Sequence, residues 1–286
     1  MLSEIFRINA FLATHPLTRR RRLSAAARVL RWQIASRIQD EVIVDWIGGT
    51  RFAARRGMTG VTGNIYAGLH EFADMAFVLH FLRPCDLFVD VGANVGSYTI
   101  LASGVVRCQT VAFEPDPVTA AAFERNVDLN RITDLVEIRI AAAGERQGIV
   151  RFSMGLDTEN HVVTAIEPTG RDVPIQTLDQ AFFDSGRIPA LIKLDVEGYE
   201  AEVLRGARAV LVAPGLSAIL TENRSPPIVE ILRSSGMTEF AYDAFAHRLL
   251  PVGEVPMANA LFVRDFNYVA RRVSKALPMQ ILGTLV

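Results

Sequence analysis

The chain has 286 residues, half of them hydrophobic, and its formal net charge at pH 7 is −1. This length and apolar content predict a globular protein with a full hydrophobic core, made of one main domain and an extension. The balanced charge gives no reason to expect a polyanionic partner, so we expect no nucleic acid among its partners.

The two cysteines, Cys85 and Cys108, provide neither metal-ligand spacing nor a disulfide framework. Both flank apolar runs that resemble strands, where a reduced and buried thiol is usual. No apolar stretch approaches the roughly 20 residues that cross a bilayer, and the N-terminus lacks the pattern of a signal peptide. We therefore expect a cytoplasmic protein.

Residues 1–63 are predicted to form an N-terminal extension of helices and a hairpin. Apolar residues and arginines recur at helical spacing over 1–39, where Pro16 separates two helices. Residues 41–56 alternate around a glycine pair, which indicates a β-hairpin, and the glycines that follow up to residue 63 predict a loop. The four arginines at 19–22 predict a solvated helix face, and peripheral contact with an anionic membrane or polymer is the alternative.

The main domain, 64–286, is predicted to begin with a helix over 65–82. Tyr66, His70 and Glu71 in this helix carry polar groups that we expect to contact a substrate. For His70, a helix histidine with its own hydrogen-bond partner is the alternative.

The segment Asp90-Val91-Gly92-Ala93-Asn94-Val95-Gly96 is the most informative part of the chain. The apolar run before it predicts a buried parallel strand and residues 97–101 predict a helix, so the glycines lie on a strand-to-helix turn. Such a turn lets a ligand approach the backbone, and the free N–H groups of the helix attract negative charge. Glu114 follows 22 residues after Gly92, where its carboxylate would accept hydrogen bonds from both ribose hydroxyls. These two features predict a site for an adenosine-bearing cofactor.

The spacing of the glycines decides between a nicotinamide dinucleotide and S-adenosylmethionine. Asn94 and Ser97 stand where the G-x-G-x-x-G pattern requires glycine, so the pattern disfavours a pyrophosphate. Asp90 places a negative charge near the ligand, which would repel a diphosphate but suits a sulfonium and an ammonium. We therefore predict S-adenosylmethionine, with an NAD(P)-dependent oxidoreductase as the alternative.

The rest of the chain alternates between predicted strands and helices. Asp116 and Pro117 predict a helix that reaches about residue 130, because Asp116 can cap it and Pro117 suits its first position. The predicted strands cover 136–140, 148–154, 191–195 and 216–221, and a polar loop with Asn160 and His161 covers 157–167. From residue 240 on, short strands over 248–252 and 258–264 predict an antiparallel edge, followed by a terminal helix over 266–286. The result is a doubly wound, mostly parallel α/β sheet.

Four motifs occur in order along the chain, and together they resemble a known family. They are Asp90 to Gly96, Phe113-Glu114-Pro115-Asp116-Pro117, Lys193-Leu194-Asp195-Val196-Glu197-Gly198-Tyr199-Glu200 and Val203-Leu204-Arg205-Gly206-Ala207. Over about residues 64–223 the chain resembles the FkbM-type S-adenosylmethionine-dependent methyltransferases. The resemblance implies the seven-stranded type of methyltransferase sheet and methyl transfer to a hydroxyl oxygen, commonly on a sugar or a polyketide-like product.

The resemblance also implies roles for individual residues. It implies that Glu114 binds ribose, that Asp195 lies beside the methionine end, and that the cofactor pocket is shaped by Asp90, Gly92, Asn94 and Gly96. We expect the adjoining Ser97, Tyr98, Pro115 and Asp116 to take part in the same pocket. Family members usually carry Ala-Val-Ser-Asp after the third strand, with the acid near the adenine; Glu145 is predicted to take its place here.

Asp195 is the leading candidate for catalysis, because ligands of an open α/β sheet gather beyond the carboxyl ends of its strands. It is predicted either to accept the proton of the acceptor hydroxyl or to contact the cofactor. Lys193 lies on the same strand face and is predicted to pair with Asp195, with a neutral lysine base as the alternative. His161 titrates near neutral pH and is a further candidate for the base.

Two acids after the later strands complete the predicted site. Glu197 and Glu222 are predicted to contact the substrate, and Glu197 can also anchor the turn at a helix start. Asp195, Glu222 and Asn223 resemble the oxygen ligands of Mg²⁺-dependent methyltransferases, although a reaction without metal is the favoured hypothesis.

The sequence thus predicts an S-adenosylmethionine-dependent O-methyltransferase that acts on a hydroxyl of a sugar, glycan or polyketide-like natural product. Two alternatives remain: the oxidoreductase named above, and a non-catalytic scaffold that binds membranes or glycans through its arginine-rich N-terminus.

Overall fold

A mixed eight-stranded sheet with helices on both faces forms the centre of the computed structural model, which describes residues 2–153, 161–162 and 170–286. The helices are α1 (Leu2–Thr14), α2 (Arg22–Ile38), α3 (Thr59–Ala67), α4 (Phe72–Phe81), α5 (Ser97–Thr99, continued by a π-helical segment over Ile100–Val106), α6 (Pro117–Leu129), α7 (Glu200–Arg205), α8 (Arg208–Val212), α9 (Pro226–Ser234) and α10 (Phe266–Val273).

The strands belong to the central sheet, to a small three-stranded sheet and to two hairpins. They are β1 (Val42–Asp45), β2 (Arg51–Ala54), β3 (Leu87–Val91), β4 (Gln109–Phe113), β5 (Val136–Arg139), β6 (Ala142–Ala143), β7 (Gly148–Phe152), β8 (Arg171–Gln176), β9 (Leu191–Leu194), β10 (Ala218–Thr221), β11 (Thr238–Asp243), β12 (Arg248–Leu250), β13 (Ala260–Val263), β14 (Gln280–Ile281) and β15 (Thr284–Leu285).

The order of the central sheet is β12-β11-β13-β10-β9-β3-β4-β5. The five strands from β10 to β5 run parallel, whereas β13, β11 and β12 form an antiparallel edge. This confirms the predicted doubly wound, mostly parallel α/β fold. The strand predicted over 248–252 is β12, and the sheet has eight strands where the resemblance implied the seven-stranded type.

Both faces of the parallel strands are buried, so successive residues enter different cores. On β3, Phe88 packs with the helices on one face, while Val89 and Val91 pack with those on the other. Asp90 points to the same face as Phe88 and pairs in register with Lys193 of β9. The sheet therefore sets two opposite charges side by side in its interior.

The two predicted N-terminal helices and the hairpin β1–β2 are confirmed. They pack with α3 in a core that includes Trp32, Phe52 and Ile65, and this core reaches Val95 and Ile100 beside the turn after β3. The domain boundary at residue 63 stays a prediction. In the part of the chain that the structure describes, no helix is long and apolar enough to span a bilayer.

The prediction for residues 57–82 is wrong in two respects. The expected glycine loop is the start of α3, where the missing side chain of Gly63 leaves room for the His70 ring. The single expected helix is two helices, because Gly68 has φ +84° and ends α3. The carbonyl of Gly68 accepts a hydrogen bond from Nε1 of Trp46 at 2.6 Å.

Three further expectations are corrected. The terminal helix ends at Val273 and the chain returns as the hairpin β14–β15, since the residue before Pro278 is disfavoured in a helix. Cys85 is exposed rather than buried, whereas Cys108 is buried as expected. Strand β8 and helix α9 were not predicted. Most of the polar loop predicted over 157–167, Asn160 included, lies outside the described residues.

Candidate active site

A cleft lies at the carboxyl ends of β3, β4, β5 and β9. Six of the predicted site residues line it: Gly92, Asn94, Glu114, Pro115, Asp195 and Glu197. Its other lining residues are Val91, Phe113, Ala141, Ala142, Ala143, Phe152, Val162, Val196 and Tyr199. The cleft is thus polar on the side of β3 and β9 and apolar on the opposite side.

The turn after β3 is held by close packing against protein groups. Gly92 has φ +79°, and a Cβ atom there would overlap the backbone carbonyl oxygen of Asp195. Gly96 has φ +88°, and its Cβ would overlap the ring of Phe123. The sequence explained these glycines by the approach of a ligand; the structure shows that the protein's own atoms already require them.

Glu114 is buried at the end of β4, and both of its carboxylate oxygens accept a backbone hydrogen bond. The N–H of Asn94 donates to Oε2 and that of Asp116 donates to Oε1, each at 2.9 Å. Burial raises the pKa of Glu114 to about 7. Each oxygen keeps a second lone pair, so the carboxylate can still accept two hydroxyl groups from the cleft.

Four predicted cofactor residues hold the scaffold and do not line the cleft. Asp116 caps α6 by accepting from the N–H of Val118 at 3.0 Å. The Ser97 hydroxyl donates to the carbonyl of Gly60 at 2.9 Å. Gly96 packs against Phe123 of α6. Glu145 does not line the cleft, where Ala141, Ala142 and Ala143 of the same segment lie.

Asp90 and Tyr98 belong to a buried network below the cleft. Asp90 accepts a hydrogen bond from the Thr99 hydroxyl at 2.8 Å, and its other oxygen has no partner among the described residues. The Tyr98 hydroxyl donates to Glu71 at 2.7 Å. The ring of Tyr98 lies 4.6 Å from Nζ of Lys193.

Lys193 and Asp195 form the predicted ion pair, with Nζ 2.6 Å from Oδ2. Burial acts to lower the pKa of Lys193, but the carboxylates of Asp195, Asp90 and Glu71 outweigh it and raise this pKa above its ordinary value. The raised pKa favours the protonated form of Lys193 and argues against the alternative of a neutral lysine base. Burial would raise the pKa of Asp195, but Lys193 lowers it.

Asp195, Glu197 and Glu222 form a carboxylate cluster in which one oxygen of each lies within 4.8 Å of the others. Burial and the charge of Asp195 raise the pKa of Glu222 to about 7. The predicted metal ligand Asn223 donates to Glu200 at 3.2 Å and accepts from the N–H of Ser225.

The turn after β9 is anchored by Glu200. Glu200 is 1% exposed, and its Oε1 accepts the N–H groups of Val196 and Gly198 at 3.2 and 3.3 Å. Glu197 has φ +49° and lines the cleft. The sequence signal for the residue that anchors this turn was an acid near the start of the helix. Glu197 and Glu200, three residues apart, both meet that description.

The three predicted substrate residues of the N-terminal side do not line the cleft. Tyr66 accepts a hydrogen bond from Gln33 at 2.7 Å, and with His70 it lines a separate cavity between α2 and α3. Glu71 lies closer to the site, because it holds Tyr98 and accepts from Asn259 at 3.0 Å.

His161 lies beside the cleft. Its backbone N–H donates to the hydroxyl of Ser153 at 2.8 Å, and its neighbour Val162 pairs with Phe152 through an isolated bridge. Phe152, Val162 and the three alanines 141–143 form what we call the apolar wall of the cleft. The sequence did not reveal this wall, because its members come from three separate segments between residues 141 and 162.

The sequence profile of the Methyltransferase FkbM domain matches residues 90–245, which is more than half of the chain. The chain belongs to the FkbM methyltransferase family. The match contains both the turn after β3 and the carboxylate cluster. Family membership favours methyl transfer over the nicotinamide oxidoreductase that the sequence had left as an alternative.

Two curated relatives of this chain carry methyltransferase names. One is Methyltransferase 1 of Beauveria bassiana, with 28% identity over 43% of this chain and 59% of the relative. The other is the hexuronic acid methyltransferase AglP of Haloferax volcanii, with 30% identity over 42% of this chain and 49% of the relative. The chain thus spans about half the length of the curated relatives it matches.

Solved structures with a similar course of the chain include two methyltransferases. A precorrin-6y C5,15-methyltransferase from Geobacter metallireducens aligns over 66% of this chain and 78% of its own, with a TM-score of 0.40 and 16% identity. A tRNA (uracil-54, C5)-methyltransferase from Pyrococcus abyssi aligns over 79% of this chain and 44% of its own, with a TM-score of 0.43 and 10% identity.

Proposed function

We propose that this FkbM methyltransferase moves the methyl group of S-adenosylmethionine to a hydroxyl of a sugar or glycan. The observation that carries the proposal is the cleft itself, which places Glu114 and the turn after β3 next to the carboxylate cluster. The name of the Haloferax relative, a hexuronic acid methyltransferase, supports a sugar as the acceptor.

The cleft residues fit the parts of this cofactor. Glu114 would accept hydrogen bonds from the two ribose hydroxyls, and the apolar wall would cover the adenine. The negative charges of Asp195 and Glu197 suit a ligand that carries an ammonium and a sulfonium. When bound, S-adenosylmethionine supplies a methyl group that is activated by the positive sulfur.

Glu222 is our candidate for the base that accepts the proton of the acceptor hydroxyl. Asp195 is engaged by Lys193, which lowers its pKa, whereas the pKa of Glu222 is about 7. A base works best when its pKa lies near the working pH. Asp195 would then hold the acceptor hydroxyl and Glu222 in position. The ammonium of Lys193 would provide the positive charge that a metal ion supplies in metal-dependent enzymes.

Replacing Glu114 with Gln is expected to weaken the affinity for S-adenosylhomocysteine about 10- to 100-fold, because hydrogen bonds to a charged acceptor are lost. Isothermal titration calorimetry measures this effect. The matched control is Glu124→Gln, which changes an exposed glutamate of α6 and should leave the affinity unchanged. Absence of binding by the unaltered protein at high micromolar concentration would refute the proposed cofactor.

The same titration has an expected pH dependence. The hydroxyls of ribose favour the ionised form of Glu114, whose pKa is about 7 in the ligand-free protein. Below about pH 7, Glu114 is protonated in the ligand-free protein and must release this proton when the ligand binds. The affinity therefore drops by up to about tenfold per pH unit. Above that pH the affinity should be constant. The Gln variant should show a flat profile, and an unchanged slope in that variant would assign the titration to another group.

Glu222→Gln is expected to lower kcat about 100- to 10,000-fold with little change in the affinity for S-adenosylhomocysteine, because it removes a general base. Glu230→Gln, at an exposed position of α9, is the control. In the unaltered enzyme kcat should rise through about pH 7 as Glu222 loses its proton. Activity that disappears on treatment with a chelator and returns with Mg²⁺ would instead favour a metal held by the carboxylate cluster.

The acceptor is best sought by mass spectrometry of a cell extract incubated with the enzyme and S-adenosylmethionine. We expect a sugar or glycan that gains one methyl group as an ether, which survives mild alkali. A methyl group released by mild alkali would be an ester, and it would show that the acceptor is a carboxylate. A methylated polyketide-like product would keep the reaction but change the substrate class.

A further inference from the structure

One face of helix α2 is both apolar and exposed. Leu23, Leu30, Ile34 and Ile38, which we call the apolar stripe, are 89%, 62%, 51% and 76% exposed. Their spacing of seven, four and four residues places them on one side of the helix, over a length of about 22 Å. The opposite side carries Ala25, Trp32 and Ser36, which are buried. Helix α2 thus covers the core with one face and leaves a second apolar face open.

Positive charge surrounds the apolar stripe. Residues 1–39 contain eight arginines and one glutamate, a net charge of +7, whereas the whole chain has −1 and the remainder therefore has −8. Arg22 and Arg31 flank the stripe on its two sides, and both are exposed. Helix α2 contains no acidic residue. The charge of the extension is thus separated from that of the rest of the protein.

We propose that the apolar stripe is a docking surface for a membrane that contains anionic lipids. A helix of this kind lies in the plane of the interface, with its apolar side chains among the acyl chains and its arginines at the headgroups. A second copy of the chain is a poorer occupant, because a symmetric contact would bring arginines against arginines with no acid on the helix to pair with them. The surface depends on α2 alone and not on the proposed methyl transfer.

The experiment is flotation of the full chain with vesicles of phosphatidylcholine, with and without phosphatidylglycerol. We expect binding to the anionic vesicles and little binding to phosphatidylcholine alone. Arg22→Gln/Arg31→Gln should weaken binding about 30-fold, since each arginine near the surface contributes a factor of about five. Arg208→Gln/Arg233→Gln, with the same loss of charge on exposed positions of other helices, should leave binding nearly unchanged.

The apolar contribution is tested separately. Leu30→Asn/Ile34→Asn should abolish flotation, while Val212→Asn, at an exposed position of α8, should have no effect. Circular dichroism and S-adenosylhomocysteine binding report whether each variant is folded. Absence of flotation on anionic vesicles would overturn the proposal, as would equal losses in the control variants. A dimer in analytical ultracentrifugation that becomes a monomer in Leu30→Asn/Ile34→Asn would assign the stripe to a second copy.

Discussion

The Asp195→Asn variant is expected to lose methyl transfer by at least about 100-fold and to unfold more easily. Asp195 adjoins Glu222 and the cleft, so its charge is needed where the acceptor hydroxyl reacts. It is also the ion-pair partner of Lys193, which is 3% exposed and would keep only the attraction of Asp90 and Glu71. We expect a loss of about 3 kcal/mol in the free energy of unfolding. This is the lower end of the range for breaking a buried ion pair, because Asp195 still reaches solvent.

A double variant separates these two effects. Lys193→Met/Asp195→Asn removes both charges, so most of the lost stability should return, while activity should stay low. Asp90 then loses its positive neighbour, but burial already raises its pKa and it can take up a proton instead. Urea unfolding and a methyl-transfer assay measure the two quantities. A double variant no more stable than Asp195→Asn would contradict the ion pair as the source of the loss.

Gly92→Ala is expected to disrupt the sheet at the cleft. The added Cβ would overlap the backbone carbonyl of Asp195, and no side-chain movement can relieve a clash with backbone. The turn would have to move away from the end of β9, so we expect a loss of more than about 4 kcal/mol or failure to fold. Urea unfolding, or the yield of soluble protein, measures this result.

Gly198→Ala is the matched control for this effect. Gly198 has φ +91°, similar to that of Gly92, but a Cβ there would meet no atom within 4 Å. This change should therefore cost only the backbone strain of a positive φ, about 1 to 3 kcal/mol. If both variants lost the same stability, the close approach of Asp195 would not be the reason for Gly92.

Features within a short stretch of chain could be predicted from the sequence. The turn after β3 follows from a buried strand, two glycines and a helix start, all within a dozen residues. The Lys193–Asp195 pair follows from alternation along one strand, since residues two apart share a face. The position of Glu114 follows from the parallel order of β3 and β4.

Features that depend on loop geometry could not be predicted. Glu197 belongs to the carboxylate cluster and lines the cleft, while Glu200 holds both the turn after β9 and the side chain of Asn223. Spacing alone does not distinguish Glu197 from Glu200, because both follow the same strand. Tyr66 and His70 lie apart from the cleft because Gly68 turns the chain between two helices where the pattern indicated one.

The two sides of the cleft differ in how firmly they are held, and this has a kinetic consequence. The side of β3 and β9 is fixed by backbone contact between Gly92 and Asp195 within a five-stranded parallel array. The apolar wall, in contrast, includes Phe152, the last residue of the edge strand β7 in the small three-stranded sheet, which also bridges to Val162. The edge strand of a small sheet opens at a lower free energy than the interior strands of a large one. We therefore expect the spent cofactor to leave past Phe152, and substitutions at that residue to alter the rate of turnover through product release.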